Sequence, residues 1–284
     1  MQIKDFIFSY NQIIFNFFYV KKNFLKGIRK IFNFPVKYLT YCLSIFLTKK
    51  KINLNNYKIS SKNLDTLFQE FNSDKAKKLK SENNIEIDGH NYSIFYEKYF
   101  EKYRSKKNLK ILEIGSQFGS SAAALYFYFQ NPKIITSDIN PFAMKVYSKN
   151  IRKIYIDTQS EKIVENFVKY LNCEFDIIID DGSHSVRDQL ITLKFFYPLL
   201  KSEGIYVIED LDHYKVSPHL NPDQEANTTV EVLEAIKCGK TINSTYLQKN
   251  DFENMIKSIK YINFERGDYN QKGVNISSIA FLSK

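Results

Sequence analysis

From residue 109 onward the chain alternates short apolar runs with stretches of helical periodicity, and this alternation constrains its fold more than any other feature. Residues 109–114, 133–137, 153–156, 175–180 and 205–208 read as strands, each followed by a helical or turn-rich stretch. The helical readings fall at 119–129, 141–149, 160–171 and 185–200, with Ser185 and Asp188 spaced as an S-x-x-D capping box. Near-continuous apolar strands separated by helices imply a parallel sheet covered on both faces. A helix is expected around 229–237, and strands at 261–264 and 277–282, joined by a Gly- and Asn-rich turn, read as a closing antiparallel hairpin. The fold class is therefore α/β, doubly wound. Ahead of it, residues 63–71 and 92–103 read as helices, and the polar, Lys-rich residues 72–90 as a loop or lid. Three regions follow: a helical N-terminal arm over 1–60, a helical lid and lead-in over 61–108, and the alternating body over 109–284.

Charge separates the arm from the body. The chain carries a net charge of +10, yet residues 1–51 hold ten Lys and Arg against the single acid Asp5. The remainder is nearly neutral, which excludes a uniformly basic nucleic-acid binder. The arm is also dense in aromatics, with 24 Phe and 20 Tyr in the whole chain and thirteen of them in the first 48 residues. Its apolar runs are broken by Ser9, Asn11, Gln12 and Asn16, and by Asn33, Pro35 and Lys37, so neither supplies the roughly 20 clean residues a spanning helix needs. Asp5 and the lack of a small-residue cleavage site fit a secretory signal peptide poorly. Two placements remain for residues 1–51. A face such as Leu39, Leu43, Phe46 and Leu47 lies on an anionic membrane, the cytoplasmic inner face, or the same helices pack on the body or on another copy in a homo-oligomer. Cys42, Cys173 and Cys238 form no paired spacing, so neither a disulfide framework nor a zinc site is expected, in keeping with a reducing cytoplasm.

The first strand of the body runs into Glu113-Ile-Gly115-Ser-Gln-Phe-Gly119-Ser120. A strand turning sharply into a helix needs Gly where the backbone takes unusual dihedrals or a ligand approaches closely, and the helix N-terminus that follows offers free N–H groups. Asp138 ends the second strand, where an acid accepts hydrogen bonds from ribose hydroxyls. The G-x-x-x-G spacing lacks the middle Gly that admits a pyrophosphate, so a nucleoside ligand without a diphosphate fits better. A tight turn with no ligand explains the same glycines, and an acid after a strand is often only structural.

Strand four ends in Asp180-Asp181-Gly182-Ser183-His184 and strand five in Glu209-Asp210. If these strands are neighbours, up to four carboxylates crowd the carboxyl edge of the sheet, where open α/β sheets bind ligands. Like charges at that range raise one another's pKa. A hard divalent cation removes the conflict, and oxygen ligands favour magnesium, calcium or manganese over zinc. Adjacent strand residues point to opposite faces, so Glu209 and Asp210 can share an ion only if the chain leaves strand geometry there.

Five βα units closed by a hairpin resemble the S-adenosylmethionine-dependent methyltransferase core of class I, a Rossmann-like sheet, over residues 109–284. D-D-G-S-H with a later I-E-D strand end resembles more specifically the metal-dependent sugar O-methyltransferases of macrolide biosynthesis, the mycinamicin and macrocin type, and the cephalosporin hydroxylase-like proteins. The resemblance implies S-adenosylmethionine at Glu113, Gly115, Ser116, Gly119, Ser120, Asp138, Asp157, Gln159 and Asp180. It implies magnesium, or another hard cation, at Asp181, Glu209 and Asp210, with His184 as general base. The acceptor implied is a hydroxyl of a sugar, glycan precursor or other small molecule. The pair Asp74-Lys75 and His90-Asn-Tyr92 also have counterparts in the family, but the spacer between them is longer here, which weakens any role for them at the site.

The chemistry suits those residues. A sugar hydroxyl attacks only once its proton is being removed, and a cation stabilises the developing charge. Histidine titrates near neutrality and suits a general base. His213 and His219, in the polar segment after strand five, read equally well as pocket-lining or solvated. Methylation of a catechol-like molecule, or a membrane-associated binding protein without turnover, are the alternatives, and the intact Asp181, His184, Glu209, Asp210 set argues against the second.

Overall fold

The computed structural model describes residues 1–47, 51–59, 63–81, 83–221 and 227–284. Seven strands form one sheet: β1 Lys110–Ile114, β2 Lys133–Asp138, β3 Ile151–Tyr155, β4 Phe175–Asp180, β5 Leu200–Ile208, β6 Tyr261–Arg266 and β7 Ser278–Ser283. Their order is β6-β7-β5-β4-β1-β2-β3. The first five are parallel, and β6 and β7 close the sheet as an antiparallel pair, β7 running against β5. Strand order reverses beside β1, which creates the crevice where such sheets bind ligands. Register levels the strand ends that matter, pairing Ile114 with Asp180 and Asp180 with Ile208.

Alternation along each strand divides the core into two layers. Ile111 of β1 joins the layer containing Phe68, Tyr96 and Phe281, and Leu112 joins the layer containing Phe167, Leu190 and Phe196. The first layer is covered by α3 (Leu64–Glu70), α4 (Ser93–Phe100) and α5 (Ser120–Tyr128). The second is covered by α6 (Glu161–Leu171), α7 (Val186–Phe196), α8 (Thr229–Lys237) and α9 (Lys249–Ser258). Truncating a buried ring such as Phe167 to Ala would cost about 3–5 kcal/mol. The helices start where the sequence provides caps: the Ser160 hydroxyl accepts from Ile163 N–H, and the Ser185 hydroxyl from Asp188 N–H. Asp188 does not return the bond to Ser185. Its carboxylate accepts instead from the hydroxyls of Thr158 and Ser183.

The expected helix at 141–149 is absent. That segment turns and then forms a two-residue strand, Val146–Tyr147, parallel to Ile52–Asn53. The arm supplies the missing cover: Phe142 packs against Phe34, Tyr38 and Tyr41 of helix α2 (Phe24–Leu47). Helix α9 is an element the periodicity did not disclose, because its sequence is strongly polar.

Helix α1 (Ile3–Phe15) lies along β3, one of the two edge strands of the sheet. Three polar residues of α1 and the π-helical turn after it, Asp5, Ser9 and Asn16, are fully buried there. Asp5 pairs with Arg152 at 2.6 Å and accepts from the Tyr170 hydroxyl at 2.8 Å. Ser9 Oγ accepts the Tyr155 N–H at 3.0 Å. An edge strand presents unpaired backbone groups, and here the arm covers part of that edge. The rings at this seam stack, Phe8 on Tyr170 with centroids 4.0 Å apart, which gives part of the arm's aromatic load a structural purpose. Phe46 and Leu47 of the expected membrane face, together with Lys49 and Lys50, lie outside the residues whose side chains are described.

Candidate active site

The loop between β1 and α5 takes the shape its glycines permit. Gly115 has φ +84° and Gly119 φ +81°, both left-handed. A Cβ at Gly115 would collide with the backbone of Asp181, so the glycine lets the β1 and β4 loops touch. A cavity of about 560 Å³ opens beside this loop. It runs from Asp138 and Ser120 past Glu113 to Asp181 and His184, and Ser116 and Leu79 also line it. A second cavity of about 250 Å³ adjoins it, lined by Gly115, Asp138, Asp157 and Gln159.

Glu113 is buried at the floor of the larger cavity, and among the described residues neither of its carboxylate oxygens makes a well-formed hydrogen bond, although the Ser121 hydroxyl lies near enough to favour its charged form. Burial raises its pKa to about 7, opposed by the Lys75 charge. Such an acid beside a helix N-terminus fits a ligand that brings its own cation, such as the amino group of an amino acid moiety. Asp138 accepts the N–H groups of Gln117 at 2.8 Å and Asn140 at 2.7 Å, which fixes it between the two cavities. Asp157 lines the second cavity, but its carboxylate is already engaged: Lys21 lies 2.6 Å away and Asn16 donates at 2.7 Å, both from the arm. Asp180 lines neither cavity. Its side chain accepts from the Thr192 hydroxyl in the core, and burial raises its pKa to about 7. The inward face of β4 therefore removes Asp180 from the set facing the cavities.

The carboxylates of β4 and β5 do converge. Glu209 N–H bonds to Asp180 O at 3.0 Å, which continues the β4–β5 pairing past the strand ends. Asp210 then leaves strand geometry with φ +55°, so consecutive residues Glu209 and Asp210 can serve one rim. His184 also stands at positive φ, +58°, a strained backbone of the kind that clusters at functional sites. Its ring lies between two acids, Nε2 3.9 Å from Asp181 Oδ1 and Nδ1 3.7 Å from Asp210 Oδ2. His213 lies 3.6 Å from the same Asp210 oxygen and faces His184, so it belongs to the site, whereas His219 is exposed.

The residues ahead of the sheet are deeply involved. Lys75 is buried, with its ammonium 2.5 Å from Asp181 Oδ2 and 3.0 Å from Glu209 Oε2. Tyr96 donates to Glu209 Oε1, and Tyr92 donates to Asp210 Oδ1 at 2.7 Å. His90 Nδ1 stands 3.3 Å from that same oxygen. The two ends of the expected loop or lid are therefore packed at the site, with Ser73, Lys75, Ala76 and Gly89 buried, while residues 83–88 between them are exposed. His90 N–H bonds to Asp74 O and Asn91 N–H to Ala76 O, so the chain doubles back on itself. The hairpin Lys78–Lys80 with Glu86–Asp88 loops out the extra spacer. The longer spacing is absorbed, and Lys75, His90 and Tyr92 arrive together. The sequence signal for them was the Asp74-Lys75 and His90-Asn-Tyr92 pairs; Tyr96 carried none beyond its helical position.

Electrostatics follow from this crowding. Burial raises the pKa of Glu209 well above the ordinary carboxylate value, and the neighbouring Asp181 raises it further, against Lys75. Asp181 is likewise raised by burial, with Lys75 opposing. Burial also acts against Asp210, but His213, His184, His90 and Tyr92 outweigh it and hold this acid below its usual range.

If all three acids are ionised they outnumber the one ammonium by two charges, and a divalent cation would favour that ionised state over the protonated one that burial promotes. Imidazoles stand 3.6 to 3.9 Å from the oxygens facing His184, Asp181 Oδ1 and Asp210 Oδ2. Ligand atoms of His184, Asp210 and His213 lie within 4.8 Å of one another. That trio could hold a metal ion, and Asp181 Oδ1 lies beside it, 3.9 Å from His184. Both oxygens of Glu209 are engaged by Tyr96 and Lys75.

No family model matches the chain. In sequence it is similar to the mycinamicin VI 2''-O-methyltransferase of Micromonospora griseorubida, with 27% identity over 129 residues, 43% of this chain and 32% of the relative. The 8-demethyl-8-(2-methoxy-alpha-L-rhamnosyl)-tetracenomycin-C 3'-O-methyltransferase of Streptomyces olivaceus is 29% identical over 133 residues, again 43% and 32% of the two chains. Among solved structures, the MycE methyltransferase of the mycinamycin pathway, in complex with Mg, SAH and mycinamycin VI, superposes with a TM-score of 0.58. Its identity is 20%, covering 78% of this chain and 54% of that one. The chain thus spans about a third of the length of the curated relatives it matches. It has the Rossmann-like methyltransferase fold, and its relatives in sequence are O-methyltransferases.

Proposed function

We propose that this protein transfers a methyl group from S-adenosylmethionine to a hydroxyl of a sugar or glycan precursor, with magnesium at the site. The observation that carries the reading is that Asp181 and His184 line the same cavity as the loop from Gly115 to Ser120, with Asp210 on the other side of the His184 ring. S-adenosylmethionine supplies the methyl group, and a bound divalent cation supplies Lewis acidity toward the acceptor hydroxyl. Glu113 and the N-terminus of α5 bind the amino acid end of the cofactor, and Asp138 holds its ribose. Asp181 and Asp210, with Glu209 beside them, would hold the cation.

His184 accepts the hydroxyl proton at a ring nitrogen. Its ring is oriented by the acids on either side and by its left-handed backbone, and this positioning contributes to rate beside basicity. The sugar class is supported by the relatives, one of which is named for a rhamnosyl-bearing substrate.

The test is labelled-methyl transfer to nucleotide sugars, lipid-linked glycans and catechols, with and without magnesium. Transfer that is abolished by EDTA and restored by magnesium is expected. Undiminished transfer in EDTA would exclude the metal, and transfer confined to catechols would exclude the sugar.

A further inference from the structure

Helix α2 buries one face and leaves another bare. Leu25, Ile28, Phe32, Val36, Leu39 and Leu43 are all exposed, Leu25 by 82% and Phe32 by 70%. At 3.6 residues per turn these positions fall along a single face, and the opposite side, with Phe34 and Tyr41, packs on the body. Six large apolar residues in one exposed row form a patch of the kind that marks an interaction surface.

The charge around the row identifies its partner. No acid occurs between Asp5 and Asp65. Lys26, Arg29 and Lys37 fall on one side of the apolar row, and among the described residues none of them pairs with a carboxylate. Beside that border lies a cavity of about 280 Å³, bounded by Lys26, Arg29, Lys30, Lys37, Ile139 and Phe142. Burial lowers the pKa of Lys30, and repulsion from Lys37, Lys21 and Arg29 lowers it further, which shows cations gathered without a counter-charge.

A second copy of the chain docking through this face would bring two such basic borders together. An anionic bilayer instead takes up the apolar row and neutralises the border, the pattern of an interfacial helix. Among the described residues no helix is long and apolar enough to cross a membrane, so the contact is with the surface.

We propose that α2 docks this protein on an anionic phospholipid surface, with Leu25, Phe32 and Leu39 entering the interface and Lys26, Arg29, Lys30 and Lys37 receiving lipid phosphates. The cavity shares Ile139 with both cavities beside the Gly115 loop, so the docked face borders the candidate active site. The inference does not depend on the chemistry proposed there.

The experiment is flotation of the full chain with vesicles of equimolar phosphatidylglycerol and phosphatidylcholine, against phosphatidylcholine alone. The chain should float with the anionic vesicles, and partition should fall by roughly two hundredfold to nine hundredfold when the anionic lipid is omitted, given the three to four basic residues involved. Added salt should weaken it. The triple variants L25E/F32E/L39E and K26E/R29E/K37E should each stay at the bottom while keeping the circular dichroism spectrum and thermal transition of the wild type. Failure of the wild type to float, equal flotation on neutral vesicles, or undiminished flotation of folded variants would overturn the proposal. A wild-type dimer in solution that L25E/F32E/L39E converts to monomer would also overturn it, by assigning the face to a second copy. The lipid and salt comparisons use the wild type alone, so the proposal stays falsifiable if a variant does not fold.

Discussion

The Lys75 ammonium lies 2.5 Å from Asp181 Oδ2, joining a residue ahead of the sheet to the end of β4 in a buried ion pair. Burial pulls the lysine pKa down, but Asp181, Glu209 and Asp74 outweigh it and keep the group charged, well above its ordinary value. An internal cation thus meets part of the charge that Asp181 and Glu209 place together.

Replacing Lys75 with Met should leave those two acids facing each other without a counter-charge. Breaking a buried pair in this way costs about 3–5 kcal/mol. Thermal unfolding in EDTA should show the loss, and magnesium should raise the midpoint of K75M more than that of the wild type. Equal stability and an equal magnesium effect would show that Lys75 balances nothing.

His184→Asn is the informative substitution at the proposed base, because Asn tolerates the left-handed backbone found there. Methyl transfer should fall by about a hundredfold or more. S-adenosylmethionine affinity by calorimetry should stay within about twofold, a difference of less than 0.5 kcal/mol. Parallel loss of binding and transfer would make the residue structural.

Glu113 makes stability depend on pH. Its folded pKa, about 7, stands above the ordinary 4.5, so the folded state holds the proton more tightly than the unfolded one. The cost of this acid is absent below pH 4.5, grows as pH rises and is complete above about 7, on the order of 3 kcal/mol. Denaturant unfolding of Glu113→Gln should match the wild type at low pH and exceed it above neutrality. A constant difference across that range would contradict the burial argument.

Ser9→Ala tests the seam between arm and body. It removes the acceptor of the Tyr155 N–H on the free edge of β3 and should cost about 1–3 kcal/mol. Hydrogen exchange should accelerate at the Tyr155 amide ahead of the central strands. Unchanged exchange there would mean the arm is not seated on β3 in solution.

The doubly wound sheet, its closing hairpin, and the acids and histidine at the ends of β4 and β5 are legible in the order of the residues. Apolar runs of strand length between amphipathic helices leave few other ways to bury a core, and turn residues at strand ends mark the ligand edge. The tertiary structure alone decided where Lys75, Tyr92, Tyr96 and His213 stand. A hairpin absorbs the spacer before β1, and positive-φ turns at His184 and Asp210 redirect side chains in ways that strand alternation does not encode. It likewise decided that Asp180 faces the core and that Asp157 meets Lys21 and Asn16 of the arm. Period and composition show which face of an element is apolar, but the partner of a buried charge comes from parts of the chain far apart in sequence, and only packing brings them within reach.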